Sequence, residues 1–260
     1  MKPELSALCA LLREAGKLFF ENGRETVTEK GYADFVTATD LAVQRLVIGR
    51  LRADYPACAI LAEESEDRPD GSVSTFVLDP VDGTTNLIRR LGHSCISLGY
   101  VEDRRPVLGA VYNPFTDELF AAERGKGATK NGAPIRVTAA RALRDSLVTV
   151  GTSPYRKDNA GANMSLISEV FFRTLDIRRS GSSALDLCYV ADGRTDAFLE
   201  AGLSPWDFCA GVLLVEEAGG RVTNWKGDPI DFFSKQNVLA TNGRIHAEAL
   251  TLTGSVSLKD

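Results

Sequence analysis

The chain has 260 residues, 44% of them apolar and 25% charged, and carries a formal net charge of −5 at pH 7. That length and balance describe an ordinary globular protein with one large core or two tightly joined halves. The acidic balance, with no dense Lys/Arg run outside short pairs, excludes a general attraction to nucleic acid or to an anionic membrane, so an anionic substrate needs local help.

Leu5, Leu8, Leu12, Ala15 and Phe19 recur at helical spacing and predict a first helix. Glu4, Arg13 and Glu14 break the apolar stretches there well short of a signal-peptide core or a membrane span, so a cytoplasmic location is expected. A second helix is predicted from Asp40 through Leu46, Val47 and Leu51, stopping before Pro56. The apolar runs 59–62 and 75–78 are too short for helices and end in acids, which makes them strands that deliver Glu63 and Asp79 at their C-terminal ends. Strands follow around 95–101, 107–112 and 118–122. The second half alternates: strand 147–150, helix 163–172, helix from Ser183, strand 197–199, helix from Trp206, strand 237–240, helix from Arg244. No repeat and no linker interrupts this α/β layering with mixed sheets.

Five cysteines (Cys9, Cys58, Cys95, Cys188, Cys209) are scattered without a Cys-x-x-Cys pair and read as reduced, mostly buried apolar residues. His93 and His246 have no partner motif, and no Gly-x-Ser-x-Gly elbow is present, which argues against a Ser-His-Asp hydrolase.

The informative stretch is Asp79-Pro80-Val81-Asp82-Gly83-Thr84-Thr85-Asn86, where a strand runs out and a helix should begin. Pro80 lacks an N–H and is expected to stop the ladder, leaving the Val81 carbonyl as a hard oxygen ligand. Asp79 and Asp82 can converge on one ion. Gly83 lets the backbone approach a bulky anion, and the N–H groups of Thr84 and Thr85 at a helix start form a phosphate seat. An Asx-type turn with an N-cap is the plain structural alternative. Glu63-Glu64 and Asp207 tip the balance, although Asp207 in Ser204-Pro205-Trp206-Asp207 also suits the first turn of a helix as an acid complementing the dipole. Several carboxylates brought together without a cation are unfavourable, whereas Mg²⁺ prefers such ligands, so the ensemble predicts a metal.

Ala62-Glu63-Glu64-Ser65, the stretch from Asp79 to Asn86, and Trp206-Asp207-Phe208-Cys209-Ala210-Gly211 resemble, in order and spacing, the motifs of the inositol monophosphatase family. Residues 30–40, Gly125-Lys126-Gly127-Ala128 and Gly181-Ser182-Ser183-Ala184-Leu185-Asp186 match as well, so the resemblance covers nearly the whole chain. It implies an α/β fold of the α+β layered kind, an alternating αβαβα sandwich of two mixed sheets and helix pairs. It also implies a homodimer and lithium-sensitive, Mg²⁺-dependent hydrolysis with two or three ions. Carried over by motif, Glu63, Asp79 and the Val81 carbonyl hold the activating metal, and Asp79, Asp82 and Asp207 hold the one beside the leaving oxygen. Thr84, hydrogen-bonded to Asp40, orients the attacking water with Glu63, and the N–H groups of Gly83 and Thr84 receive the phosphate. Lys30, in a glycine-flanked loop, recruits a third Mg²⁺ or closes over phosphate, a solvated charge being the alternative. The expected organisation is one catalytic unit over 1–260. Its N-terminal half, about 1–140, carries most metal ligands, and the other, about 141–260, supplies Asp207 and the substrate contacts.

Ser182, Ser183 and Glu200 match the positions where the family contacts polyol hydroxyls, with Asp82 and Asp207 touching substrate too. The partner expected is therefore a small phosphorylated polyol or sugar, myo-inositol monophosphate first, and nucleic acid is not expected. The alternatives are fructose 1,6-bisphosphate, adenosine 3′,5′-bisphosphate or histidinol phosphate, or a regulatory protein that binds transcription machinery. Leu87-Ile88-Arg89-Arg90-Leu91-Gly92-His93 departs from the family pattern. Arg89 or Arg90 either meets a second anionic group there or is simply solvated.

Overall fold

Leu8, Leu12 and Ala15 share one face of helix α1 (Leu5–Gly16), and Val43, Val47 and Leu51 share one face of α2 (Ala38–Asp54); both faces are buried in one apolar cluster. A single 3₁₀ turn, Lys17–Phe20, extends α1. The structure, a computed structural model, describes residues 2–21 and 26–254. Both ends of the expected 1–260 unit lie outside the described residues.

Between these helices a hairpin forms from β1 (Val27–Gly31) and β2 (Asp34–Thr37). A seven-stranded sheet follows in chain order: β3 (Ala59–Ala62), β4 (Thr75–Asp82), β5 (Cys95–Glu102), β6 (Arg105–Asn113), β7 (Glu118–Glu123), β8 (Ala128–Lys130) and β9 (Ala133–Pro134). Only the β3–β4 pair is parallel. The short α3 (Thr84–Ile88) leaves β4.

The second half contributes β10 (Leu147–Val150), α4 (Ala160–Arg173), β11 (Asp176–Arg178), α5 (Ser183–Ala191), β12 (Ala197–Leu203), α6 (Pro205–Glu217), β13 (Arg221–Asn224), β14 (Gln236–Thr241) and α7 (His246–Thr253). Its five-stranded sheet runs in the order β11-β10-β12-β14-β13, parallel across the first three strands and antiparallel across the rest.

Helices α5 and α6 are buried nearly all round, because both sheets pack on them. One apolar cluster accordingly runs from Leu61 and Val77 of the first sheet, through Leu187 and Leu213, to Val238 and Ala240 of the second. With α1 and α2 outside the large sheet, and α4 and α7 packed together beside the small one, the layers alternate αβαβα as the resemblance implies.

Three local expectations are corrected. Pro80 does not end β4: the pairing with β5 slips in a bulge between Asp79 and Asp82 and resumes at Asp82–Cys95. The missing N–H thus bends the ladder without stopping it. Lys30 lies on a strand of the hairpin and not in a loop. Glu200 sits within β12, which continues to Leu203, rather than at a strand end. All five cysteines are free, and no helix among the described residues is long and apolar enough to cross a membrane.

Candidate active site

The bulge in β4 is what brings the acids together. A regular strand places alternate side chains on opposite faces, but the extra residue lets Asp79 and Asp82 turn to the same side. Asp207, in the first turn of α6, meets them: carboxylate oxygens of the three lie within 4.8 Å of one another. Asp207 also closes the capping box of its helix, accepting from the Ser204 N–H at 2.7 Å, so the capping and clustering roles coexist. These residues line one cleft of about 280 Å³, together with Glu63, Gly83, Thr84 and Glu200.

Each acid is oriented by neighbours. Asp82 Oδ2 accepts from Ser182 Oγ at 2.5 Å and from the Ala184 N–H at 2.7 Å, which leaves Oδ1 for the cleft. Asp79 Oδ1 accepts from the Val81 N–H at 3.0 Å. Burial, reinforced by Glu63, Asp82 and Asp207, pushes the Asp79 carboxyl well above its ordinary range. Burial does the same to Asp207, with Asp82 and Glu63 adding to it. Burial also raises Asp82, although the bonds from Ser182 and Ala184 oppose it.

Buried carboxylates this close repel one another unless a cation sits among them. Hard oxygen donors without a Cys or His ligand suit Mg²⁺, which keeps part of its water shell. The donor set therefore fits the ion that the motifs imply.

Glu63 stands to one side. Its Oε1 accepts from Lys30 Nζ at 3.1 Å, and the same ammonium reaches Glu64 Oε1 at 2.6 Å and Asp34 Oδ1 at 3.4 Å. Burial lifts Glu63 to about 7 despite Lys30. Burial alone would lower the Lys30 ammonium, but Glu63 and Glu64 raise it above its usual range.

Where β4 gives way to α3, Gly83 opens the helix at φ 91°, a conformation that favours glycine. A Cβ there would meet the His93 carbonyl at 3.0 Å and the Gly181 carbonyl at 3.2 Å. The Thr84 hydroxyl lies 3.2 Å from Asp40 Oδ1 and 3.0 Å from the Val81 carbonyl. Asp40 is fully buried and held by Thr37, whose N–H donates to Oδ2 at 2.9 Å. Burial carries the Asp40 carboxyl up to about 6 against those bonds.

At the other end, Glu200 is 7% exposed and lies over Gly151, where any Cβ would overlap its carboxylate. Ser183 Oγ donates to Glu200 Oε2 at 2.8 Å and the Ser153 N–H to Oε1 at 3.0 Å. Ser182 and Ser183 thus touch acids, one on each side of the cleft.

Sequence reasoning missed Tyr155, Arg179 and Asp186 as lining residues. Tyr155 and Arg179 sit in connections that carry no motif, and Asp186 was visible only as the last letter of a matched stretch. It also missed Asn86 as a staple: its Nδ2 donates to the His93 and Ser180 carbonyls at 2.7 and 3.0 Å, tying α3 to both sides. Arg89 and Arg90 are exposed and do not line the cleft. His93 is turned toward the Tyr189 ring at 5.7 Å.

Fold and cleft together define a layered αβαβα protein with a carboxylate cluster that could hold a divalent cation, set between the end of β4 and the first turn of α6. A family model described as the inositol monophosphatase family matches residues 1–257, and the chain belongs to that family. Nus factor SuhB of Escherichia coli K12 is 39% identical over 251 residues, covering 94% of this chain and 93% of the relative. Among solved structures, the extragenic suppressor protein suhB of Bartonella henselae superposes with a TM-score of 0.89 at 34% identity, covering 96% of this chain and 98% of that one. An IMPase of Thermotoga maritima superposes with a TM-score of 0.87 at 35% identity, covering 96% of each chain.

Proposed function

We propose that this chain is a Mg²⁺-dependent phosphomonoesterase of one catalytic unit, acting on a small sugar or polyol phosphate, with myo-inositol monophosphate as the leading substrate. The observation that carries the reading is the convergence of Asp79, Asp82 and Asp207 beside the Thr84–Asp40 pair. Glu63, Asp79 and the Val81 carbonyl would hold one ion, and Asp79, Asp82 and Asp207 a second, with the Lys30 hairpin beside any third. Bound there, Mg²⁺ would neutralise charge on the phosphoryl oxygens and lower the pKa of the attacking water.

The rest belongs to the chain itself. Thr84 spends its hydroxyl proton on Asp40 or Val81, so its oxygen is free to accept from the attacking water, which Glu63 also orients. The N–H groups of Gly83 and Thr84 receive the phosphate. Glu200, steadied by Ser183 and Ser153, accepts hydroxyls of the leaving alcohol. Ser182 acts through Asp82.

A phosphate-release screen tests this. Inositol 1-phosphate, glycerol 2-phosphate, fructose 1,6-bisphosphate, histidinol phosphate and adenosine 3′,5′-bisphosphate are each presented with Mg²⁺ and with EDTA. Release from none of them with Mg²⁺ present contradicts the reading.

A second reading, a regulatory protein that binds transcription machinery, is favoured by the name Nus factor carried by the Escherichia coli relative. The two are compatible. A variant lacking phosphatase activity, Asp82→Asn, tests whether any regulatory role is independent of turnover. We further propose a cytoplasmic homodimer, as the family resemblance implies.

A further inference from the structure

Arg179 is the one Lys or Arg among the described residues lining the cleft, against seven acids. An exposed arginine amid carboxylates normally pairs with one, as its neighbour Arg178 does with Asp176. Arg179 does not: among the described residues no ion pair engages it. Its Nε and Nη2 instead face Thr152 Oγ1 at 3.3 and 3.2 Å. A neutral hydroxyl holds one edge of the guanidinium and, among the described residues, leaves Nη1 without a hydrogen bond.

The backbone keeps that free edge over the cleft. A Cβ on Gly181 would lie 2.3 Å from Arg179 Nη1, so any side chain there displaces it. The Gly181 carbonyl in turn faces Gly83, which opens the phosphate-side helix. Burial raises the Asp186 and Glu200 carboxyls, and the charge of Arg179 opposes that in both. Thr152, which holds the guanidinium, lies between Gly151 and Ser153, the two residues set against the Glu200 carboxylate, so Arg179 stands beside Glu200 at the rim of the cleft.

We propose that Arg179 is a specificity-determining residue that receives a second anionic group, a phosphate or carboxylate, carried on the leaving-group part of the substrate. A planar guanidinium matches such oxyanions in a two-pronged bond that a lysine cannot reproduce. Arg89 and Arg90, the candidates for this task in the sequence, lie off the cleft. The inference rests on the phosphomonoesterase reading of the same site.

The test is kcat/KM of the full chain with Mg²⁺ on two matched pairs. Fructose 1-phosphate against fructose 1,6-bisphosphate reads a second phosphate. Glycerol 2-phosphate against 2-phosphoglycerate reads a carboxylate. The wild type favours the doubly charged member of at least one pair, and Arg179→Ala lowers that ratio by about 10- to 100-fold, the range for losing a charge-assisted bond. Arg179→Lys recovers part of it. A wild type without preference, an unchanged ratio, or equal losses on both members overturns the assignment. Calorimetric titration of the same four compounds in Ca²⁺, onto wild type and Arg179→Ala, separates the two claims. An affinity gap that needs Arg179, seen without turnover in Mg²⁺, contradicts the phosphatase reading alone; no such gap contradicts the role of Arg179.

Discussion

The Thr84 hydroxyl lies 3.2 Å from Asp40 Oδ1, joining the first residue of α3 to the first turn of α2 across the edge of the cleft. The pair is 44 residues apart in sequence. Thr37 fixes Asp40 from behind, so the acceptor is set before any substrate arrives.

Thr84→Ala should lower kcat more than it raises KM, because an oriented water matters chiefly in the transition state. Steady-state kinetics on inositol 1-phosphate read the split. A variant in which KM alone rises would make Thr84 a substrate contact instead.

Asp79→Asn and Asp82→Asn should each cut kcat by at least about 10²-fold with the fold retained, since even one oxyanion contact is worth ~10²–10³. Circular dichroism checks the fold. A loss under about tenfold in either variant would remove that residue from the metal centre.

The metal-free chain should lose stability as pH rises. Glu63 is lifted by burial to about 7 from an ordinary 4.5, and Asp40 to about 6 from 3.8. A raised carboxyl favours the protonated folded state, so its contribution is complete below the ordinary value and is lost as pH climbs through the raised one. His246 has the opposite sign: burial depresses it to about 4 from 6.5, and it destabilises only below its ordinary value. Above about pH 6.5 the carboxyls therefore act alone. In EDTA, Tm should fall between about pH 6.5 and about pH 8, and Glu63→Gln should flatten the slope. A Tm that rises over that window contradicts the burial of these groups.

Glu200→Gln should reduce kcat/KM for inositol 1-phosphate clearly more than for p-nitrophenyl phosphate, because a buried acceptor discriminates by the hydroxyl it pairs with. Equal losses would assign Glu200 to the metals or the fold.

Most of the site was legible because it is local in sequence: the run from Asp79 to Asn86 carries two acids, the bulge and the start of α3 within eight residues. Helices α1 and α2 were legible for the same reason, through their spaced apolar residues. What escaped depends on pairing between distant segments. The β1–β2 hairpin is exposed or half-buried over most of its length and shows no apolar alternation, so Lys30 reads as a loop residue. Strands β8, β9 and β11 have two or three residues each, too few for a period. Glu200 looks like a strand end because the apolar run stops at Leu199, yet β14 pairs with β12 past it. Arg179 and Tyr155 enter the cleft only once β10 and β11 pair in parallel.

Phosphate release from inositol 1-phosphate in EDTA, followed by Mg²⁺ add-back, reads whether Asp79, Asp82 and Asp207 form a working Mg²⁺ centre. The wild type should show no turnover in EDTA and full recovery with Mg²⁺, and Asp82→Asn should show no recovery. Undiminished turnover in EDTA would contradict such a centre.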